Sequence, residues 1–401
     1  MFWEKEGKLI YSYDGETVCI EAWGKDALRV RVTKNRSFTG RDWALEAKDA
    51  HAGEVEIFED PSAKGGAFAN MYEGTDTSYG KITNGKLHAV IDSGSVITFY
   101  HEDGRVLLKE HFRRLRDEES MPLNIMGREY SNGVGDNFRI VTRFVARKGE
   151  KIFGMGQYQQ HELDLKGCML ELAQRNSQVS VPFYLSSIGY GFLWNNPGVG
   201  QVMFANNGTE WVTESGKEID YLVIAGDTPA EIEENYMTLT GKPPMMPEYG
   251  MGFWQCKLRY WNQEQLLSVA RKYKELGVPL DVIVVDFFHW TKQGEFKFDP
   301  KYWPDVPGMC RELKEMGIQV VVSVWPTVDI YSENFEEMKE KGYLVRTEHG
   351  VPLTMLCGGN EVFFDATNPD ARTYVWEKIK KNYYDQGAKL FWLDVAEPEY
   401  S

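Results

Sequence analysis

The sequence predicts an α+β multidomain protein in which an N-terminal β-sandwich precedes the first half of a (β/α)8 barrel. Residues 1–240 contain many short segments in which apolar and polar side chains alternate. Residues 241–247 form a linker with three prolines in five positions. Residues 248–401 alternate between apolar strands and amphipathic helices. These three observations predict one domain on each side of the linker.

Alternation with a period of two over residues 1–240 indicates antiparallel strands, because successive side chains of a strand point to opposite faces. Asp14-Gly, Asn84-Gly and Asp103-Gly separate such segments and are typical of hairpin turns. Many short strands without helices between them favour a sandwich. The clearest predicted strands are Leu28–Val32, Val55–Phe58, His88–Ile91, Ser95–Tyr100 and Phe138–Phe144.

One short helix is predicted just before the linker. Thr228 can cap it, Pro229 fits the first helical position, and glutamates follow in the first turn. The prolines of residues 241–247 can continue neither a helix nor a central strand, so the domain boundary is expected there.

Beyond the linker, strands and helices alternate, which is typical of a parallel sheet. The predicted strands are Met251–Cys256, Leu280–Asp286, Ile318–Trp325 and Lys389–Asp394, and the predicted helices are Asn262–Gly277, Gly308–Gly317 and Asp370–Tyr384. Gly277 is predicted to stop the first of these helices. A complete barrel needs about 250 residues, and only about 150 follow the linker. We therefore expect four β/α units with two open sheet edges and an exposed apolar inner face.

Composition restricts the possible partners. A formal net charge of −15 opposes binding to nucleic acid and to anionic membranes, and no run of 18 apolar residues occurs. The first residues carry no secretory signal, and the five cysteines are scattered without zinc spacing. We expect free thiols, a cytoplasmic location, and neither a metal nor a cofactor. Association of the full-length protein into a homo-oligomer stays an open alternative.

The predicted barrel strands end at side chains that can perform chemistry. Lys257 and Arg259, Asp286, Trp325 and Asp394 follow the four strands in turn. In a barrel these positions converge on one pocket. Two acids and several aromatic rings without a nucleotide-binding motif suit glycoside hydrolysis. His289 is interpreted as a hydrogen-bonding loop residue instead of a metal ligand.

Asp394 and Glu397 stand three residues apart. Spacing alone leaves open whether they act in the site or only cap the segment that follows. They are not expected to be a catalytic pair, because neighbouring loop residues do not place acids on opposite sides of a sugar bond. Glu397 is therefore interpreted as a supporting residue.

Several longer motifs resemble glycoside hydrolase family 31, the family of α-glucosidases and α-xylosidases. Trp392-Leu-Asp-Val-Ala-Glu-Pro is similar to its nucleophile motif W-x-D-x-x-E, and Val285-Asp-Phe-Phe-His-Trp is similar to its second-strand motif. The resemblance covers nearly the whole chain and implies a galactose-mutarotase-like sandwich. Supporting segments are Val181-Pro-Phe-Tyr-Leu-Ser-Ser, Phe298-Asp-Pro, Trp303-Pro-Asp-Val-Pro-Gly-Met and Phe364-Asp-Ala-Thr-Asn-Pro.

The resemblance implies a retaining mechanism in which Asp394 is the nucleophile. It also implies that Asp286 binds sugar hydroxyls. Aromatic residues would line or shape the same subsite, namely Phe287, Phe288, Trp290, Trp325 and Trp392. The family's general acid/base is an Asp on a later loop, and no residue here matches it. Val395 departs from the polar or acidic residue that is frequent at its position.

We therefore expect a truncated chain that ends just after the nucleophile motif and shows little turnover by itself. The substrate is expected to be an oligosaccharide or other α-glycoside with terminal non-reducing xylose, because Phe287 and Phe288 could fill the space of a hexose hydroxymethyl group. An α-glucosidase of the same family is the first alternative. A non-catalytic carbohydrate-binding remnant, or a truncated gene product, is the alternative from another class.

Overall fold

The computed structural model describes residues 1–46, 49–59, 78–112, 125–347, 349–355 and 360–397. Two units divide the chain, Met1–Pro243 and Pro244–Ser401, and the division falls within the proline-rich segment. Cys19, Cys168, Cys256 and Cys310 are free thiols, whereas Cys357 lies outside the described residues. Within the described part of the chain, no helix combines the length and hydropathy needed to cross a bilayer.

The described residues of the first unit form antiparallel strands and one α-helix, α1 (Pro229–Thr240). In chain order its strands are β1 (Phe2–Lys5), β2 (Lys8–Tyr13), β3 (Glu16–Trp23), β4 (Ala27–Thr33), β5 (Ala50–His51), β6 (Glu54–Glu59), β7 (Ser78–Asn84), β8 (Leu87–Ile91), β9 (Ile97–His101), β10 (Val106–Lys109), β11 (Arg128–Asn132), β12 (Phe138–Phe144), β13 (Ile152–Gln157), β14 (Met169–Leu172), β15 (Val179–Ser186), β16 (Tyr190–Trp194), β17 (Gly200–Ala205), β18 (Gly208–Gly216) and β19 (Ile219–Ala225).

Three sheets share the core of this unit. The largest has nine strands in the order β1-β2-β3-β4-β19-β16-β15-β13, with β5 paired to β3. The two five-stranded sheets have the orders β10-β9-β8-β7-β6 and β11-β12-β18-β17-β14. Buried side chains from all three sheets form one cluster, so the predicted β-sandwich is confirmed. Its centre is aromatic, with the rings of Trp194 and Trp211 stacked at 5.5 Å.

Helix α1 covers the other face of the nine-stranded sheet. Its buried Ile232 and Leu239 pack with Leu193 and Leu222. The predicted start of the helix is confirmed, because the Thr228 side chain accepts a hydrogen bond from the Glu231 backbone N–H. That bond satisfies one of the donors that a helix N-terminus leaves unpaired.

In the second unit, strands and helices alternate as the sequence predicts. Its strands are β20 (Trp254–Gln255), β21 (Val282–Val285), β22 (Gln319–Val324), β23 (Thr327–Asp329), β24 (Glu361–Phe363) and β25 (Leu390–Leu393). Its α-helices are α2 (Gln263–Glu275), α3 (Val306–Glu315), α4 (Phe335–Glu340) and α5 (Pro369–Ile379). A 3-10 turn (Glu248–Met251) precedes β20, and a π-helical turn (Lys380–Tyr384) continues α5.

Four strands form the parallel sheet, in the order β20-β21-β22-β25. Alternate residues of β21 pack on two different faces, which explains its uninterrupted apolar sequence. Ile283 and Val285 pack in a cluster with residues of the helices, whereas Val282 and Val284 pack with Trp254 and Leu390. The edge strand β25 leaves large apolar side chains accessible, since Trp392 is 52% and Leu393 71% exposed.

The structure departs from the predicted elements in three places. The strand predicted over Met251–Cys256 is shorter, because the chain first makes the 3-10 turn and straightens only at Trp254. The antiparallel pair β23–β24 and the six-residue helix α4 were not predicted, because such short elements carry little periodicity. The long helix predicted after Asp370 changes to the π-helical turn at Lys380.

Polar caps explain where the helices begin and end. The Asn262 side chain accepts from the Gln265 N–H at 2.9 Å and starts α2. Gly277 follows the helix with φ of 63°, a left-handed conformation that a glycine adopts without steric cost, which confirms the predicted stop. Asp305 starts α3 by accepting from the Gly308 N–H at 2.8 Å.

A buried ion pair joins β4 to β19 in the first unit. Asp220 accepts two bonds from Arg29, at 3.0 Å from Nε and 2.7 Å from Nη2. Both side chains are inaccessible to solvent, at 0% and 1% exposure. Asp42 and Asn195 complete the network with one further bond to each partner. Removing Asp220 would leave the buried Arg29 with only the partly exposed Asp42 as a counterion.

We therefore expect Asp220→Asn to lower the free energy of unfolding of the first unit by about 3–5 kcal/mol. Urea-unfolding curves of the 401-residue chain measure the loss. The control is Glu214→Gln, which removes the partner of Arg139 from an exposed pair of the same unit and should cost less than about 1 kcal/mol. Equal losses in the two variants would contradict the role assigned to the buried pair.

Candidate active site

The register of the parallel sheet brings three strand ends together. Val285 of β21 lies opposite Val322 of β22, and Val324 of β22 lies opposite Leu393 of β25. Asp286, Trp325 and Asp394 each directly follow one of these strands. They therefore lie at the carboxyl edge of the sheet, where parallel α/β folds place their ligands.

Asp394 is held by hydrogen bonds to both carboxylate oxygens. Its Oδ2 accepts from Nε1 of Trp325 at 3.1 Å, and its Oδ1 accepts from the backbone N–H of Val395 at 3.0 Å. Its own N–H donates to the Val324 carbonyl at 3.1 Å, extending the pairing of β22 with β25. Val395 has φ of 59°, an unusual conformation for a β-branched residue. The chain therefore turns sharply directly after Asp394.

Asp286 is also fixed at both oxygens. Oδ1 accepts from the Phe287 N–H at 2.8 Å, and Oδ2 lies 3.6 Å from the thiol of Cys256, which donates to it. The same sulfur lies 3.7 Å from the Lys257 carbonyl. Burial, and next the negative charge of Asp286, raise the pKa of the Cys256 thiol to about 11. The thiol is therefore protonated near neutral pH and can act as a donor.

His289 connects the backbone of Asp286 to the π-helical turn. Its Nδ1 lies 2.9 Å from the Asp286 carbonyl oxygen, and its Nε2 lies 2.9 Å from the Tyr383 hydroxyl. Burial lowers the pKa of His289 to about 4, so the ring is neutral near pH 7. The expectation that His289 is a hydrogen-bonding loop residue is confirmed.

Four aromatic rings form a continuous cluster beside the two carboxylates. Phe287 stacks on Trp325 with ring centroids 5.3 Å apart and an interplanar angle of 26°. Phe288 contacts Phe287 at 4.4 Å and Trp290 at 6.3 Å, and Trp290 in turn contacts Trp325 at 6.0 Å. Phe288 has φ of 62° and is 53% exposed. The cluster therefore presents aromatic surface to solvent next to Asp286 and Asp394.

Arg259 extends this cluster outward. Its guanidinium carbon lies 3.6 Å from the ring centroid of Trp261 and 5.4 Å from that of Phe288. Such stacking restricts the long side chain while leaving its donors available. Lys257, its companion in the sequence prediction, is exposed.

Two other predicted site residues belong to β25 or follow it. Trp392 meets Trp254 of β20, with ring centroids 6.3 Å apart in an edge-to-face arrangement. Glu397 is half-buried, three residues beyond Asp394.

One small cavity lies among the described residues at this edge. It lies against Trp325 and has a volume of about 10 Å³, roughly the volume that one water requires. Among the described residues, no group of three or more His, Cys, Asp or Glu side chains could hold a metal ion. The residues lining the cavity are Trp290, Gln293, Gly294, Phe296, Val324, Trp325 and Tyr383.

Besides Trp261, which stacks on Arg259, further residues that contact the predicted site or its loops were not singled out from the sequence. Cys256 reaches Asp286, Tyr383 reaches His289, and Trp254 reaches Trp392. Cys256 ends a predicted strand, so its position gave a weak signal. Tyr383 lies 94 residues from His289 in an apparently ordinary helix, and no local pattern marks it.

Two family models match the chain. Residues 243–401 match the glycosyl hydrolases family 31 TIM-barrel domain. Residues 17–202 match the glycosyl hydrolase 31 N-terminal galactose mutarotase-like domain. The predicted fold class, a sandwich followed by part of a (β/α)8 barrel, is confirmed by these matches and by the two kinds of sheet.

Individual proteins match over nearly the whole chain. An uncharacterized family 31 glucosidase, ORF2, of Pseudescherichia vulneris is 44% identical over 99% of this chain and 74% of its own length. Alpha-xylosidase A of Aspergillus niger is 31% identical over 95% of this chain and 52% of its own length. A crystal structure of an alpha-xylosidase from a soil metagenome, complexed with xylose, superposes with a TM-score of 0.90 and 48% identity. The chain covers 58% of that crystallized protein.

The raised pKa of Cys256 predicts slow alkylation by iodoacetamide at pH 8. Raising the pKa from 9.0 to about 11 lowers the fraction of Cys256 present as thiolate at pH 8 about 100-fold. A more basic thiolate is a better nucleophile, which raises the rate of each thiolate about 10-fold. Cys256 should therefore react about 10-fold more slowly than a thiol of ordinary pKa, as measured by peptide mass spectrometry.

Asp286→Asn should accelerate this alkylation, because it removes the nearby negative charge. Asp370→Asn, which changes an exposed carboxylate at the start of α5, is the control and should leave the rate unaltered. A Cys256 rate that is insensitive to Asp286→Asn would contradict the contact between thiol and carboxylate.

Proposed function

Because this chain belongs to glycoside hydrolase family 31, we propose that it provides the nucleophile half of the site of a retaining α-xylosidase. The substrate would be an oligosaccharide or other glycoside with a terminal non-reducing α-linked xylose. The observation that carries the proposal is the fixed carboxylate of Asp394 at a strand end, beside Asp286 and an open aromatic cluster. Relatives named alpha-xylosidases support the choice of reaction.

In the proposed mechanism, Asp394 attacks the anomeric carbon. The bond between that carbon and the leaving-group oxygen breaks as a covalent glycosyl–Asp394 ester forms, and the leaving group departs as an alcohol with a proton taken from the general acid. Water then attacks the same carbon, releases the sugar and regenerates the carboxylate. Donors from Trp325 and Val395 hold both oxygens of the Asp394 carboxylate in one orientation. The nucleophile is therefore already aligned, which lowers the entropic part of the activation barrier. We assign no residue of this chain as the general acid/base.

Asp286 is proposed to bind sugar hydroxyls. Each of its oxygens already accepts one bond from the protein and retains a lone pair, which a hydroxyl donor can use. Trp325 and the neighbouring rings offer apolar surface for the C–H bonds of the sugar. Arg259 would contribute donors at the rim, Trp392 would line the same subsite, and Glu397 would support the nucleophile loop.

Phe287 supports xylose over glucose as the bound sugar. Its ring is packed against Trp325 and Phe288, which restrict its movement, so it can occupy the space that a hydroxymethyl group would need. A difference of this size discriminates by about 1–3 kcal/mol, or about 10–200-fold. An α-glucosidase is the second candidate, since relatives such as alpha-glucosidase 2 of Bacillus thermoamyloliquefaciens carry that name.

A role in carbohydrate metabolism in the cytoplasm is proposed together with this activity. The four described cysteines are free, which suits a reducing compartment. Homo-oligomer formation stays a prediction.

Asp394→Asn in the complete natural protein should lower kcat/KM for an aryl α-xyloside at least about 1,000-fold. Asparagine keeps the size and one acceptor of the side chain but cannot form the covalent ester. Nitrophenol release measures the loss, and a 2-fluoro-xylosyl fluoride should label the peptide containing Asp394. Asp385→Asn is the control, because it changes an exposed carboxylate paired with Lys380. Turnover retained without Asp394, or a label on another residue, would favour a non-catalytic role.

Phe287→Ala should raise the ratio of α-glucoside to α-xyloside kcat/KM by about 10-fold or more, because it opens space for a hydroxymethyl group. Parallel assays with aryl α-glucoside and aryl α-xyloside measure the ratio. Phe253→Ala is the control, since that ring packs on Tyr273 away from the aromatic cluster. A parent protein that prefers the glucoside would overturn the choice of xylose.

A further inference from the structure

We propose that Tyr383 and His289 form a hydrogen-bond relay that positions Asp286 by setting which ring nitrogen of His289 carries the proton. The inference rests on the proposed function, because it is there that Asp286 binds sugar. The proposed chemical steps do not involve Tyr383 or His289 directly, so the role assigned to both is one of positioning. Tyr383 is fully buried and His289 nearly so.

The chemistry of the partners determines the direction of every bond in the relay. The Asp286 carbonyl can only accept, so Nδ1 of His289, at 2.9 Å, must carry the proton. A neutral imidazole has one N–H, and therefore Nε2 is an acceptor. The Tyr383 hydroxyl, 2.9 Å from Nε2, then donates. If that hydroxyl were absent, the other tautomer would become available, and it would place a lone pair against the Asp286 carbonyl.

The relay closes a strained turn. Phe288 lies between Asp286 and His289 with φ of 62°, a conformation that bulky residues rarely adopt. The bond from His289 Nδ1 to the Asp286 carbonyl spans this turn. Without it, the turn can relax toward an unstrained conformation, and relaxation would displace the Asp286 carboxylate and the Phe287 ring together.

The π-helical turn places Tyr383 at this position. Turns of this kind are rare and frequently occur at functional sites. The Tyr383 ring packs on Phe298 at 5.2 Å and on Phe391 at 6.4 Å. Phe391 belongs to β25, three residues before Asp394. One side chain therefore contacts the strand of the proposed nucleophile and, through His289, the loop of the proposed sugar-binding carboxylate.

Two substitutions at His289 separate this role from plain core packing. The side-chain amide of asparagine can take the position of Nδ1, and that of glutamine the position of Nε2. His289→Asn should keep the donor to Asp286 and hold kcat/KM for an aryl α-xyloside near the parent value. His289→Gln should lose about 100-fold, mostly through KM, because Asp286 is then misplaced. Both are measured in the complete natural protein.

Tyr383→Phe tests the other member of the relay. It retains the ring packing, removes only the hydroxyl, and should raise KM in the parent protein. The same change should have no further effect in the His289→Asn background, where no imidazole tautomer exists to be set. Tyr374→Phe is the matched control, because it removes the hydroxyl that Tyr374 of α5 donates to Asn334 and Glu337.

The possible outcomes are distinguishable. If the complete parent protein does not hydrolyse the xyloside, the proposed function fails. If it does, and His289→Asn and His289→Gln are equally impaired, the relay is wrong. Should both variants fail to fold, the ¹⁵N resonances of His289 in the parent protein decide: an Nδ1–H tautomer supports the relay, and an Nε2–H tautomer overturns it.

Discussion

The register between β22 and β25 is the constraint on which the site depends. Val324 lies opposite Leu393, so the next residues, Trp325 and Asp394, leave the sheet side by side. Only in this register can the indole N–H reach the carboxylate of Asp394. A slip of one residue would turn every side chain of β25 to the other face. The packing of Leu390 and Phe391 in different clusters opposes such a slip.

Both carboxylates of the candidate site follow one structural scheme. Each lies immediately after a parallel strand, and each accepts one N–H from the residue that follows it. A side chain from an adjacent strand or its loop donates to the second oxygen. Trp325 donates to Asp394, and Cys256 donates to Asp286. Left-handed backbone at Phe288 and Val395 accompanies both. Backbone strain therefore occurs close to both carboxylates, as is common at functional sites.

The aromatic residues serve two different purposes in the two units. In the sandwich, Trp194 and Trp211 are completely buried and fill the core. At the carboxyl edge of the parallel sheet, Phe287, Trp290 and Trp325 are only half-buried, and part of each ring stays accessible near the two acids. Composition alone could not separate these uses, because both come from the same residue types.

The sequence by itself determined the features that depend on local order along the chain. Period-two alternation predicted the sandwich strands, Thr228 and Gly277 marked a helix start and a helix stop, and the motif around Asp394 indicated the strand end and the family. Each of these patterns involves residues that are neighbours in the chain. For such residues, side-chain direction and backbone conformation follow from residue type and from position within the element.

Only the tertiary structure decided which distant residues meet. Cys256 and Asp286 are 30 residues apart, and His289 and Tyr383 are 94 apart. The first contact depends on strand order, and the second on a π-helical turn that replaces the predicted end of a helix. A periodic pattern reports which face a side chain occupies within its own element. It does not report what the packing of other elements brings against that face.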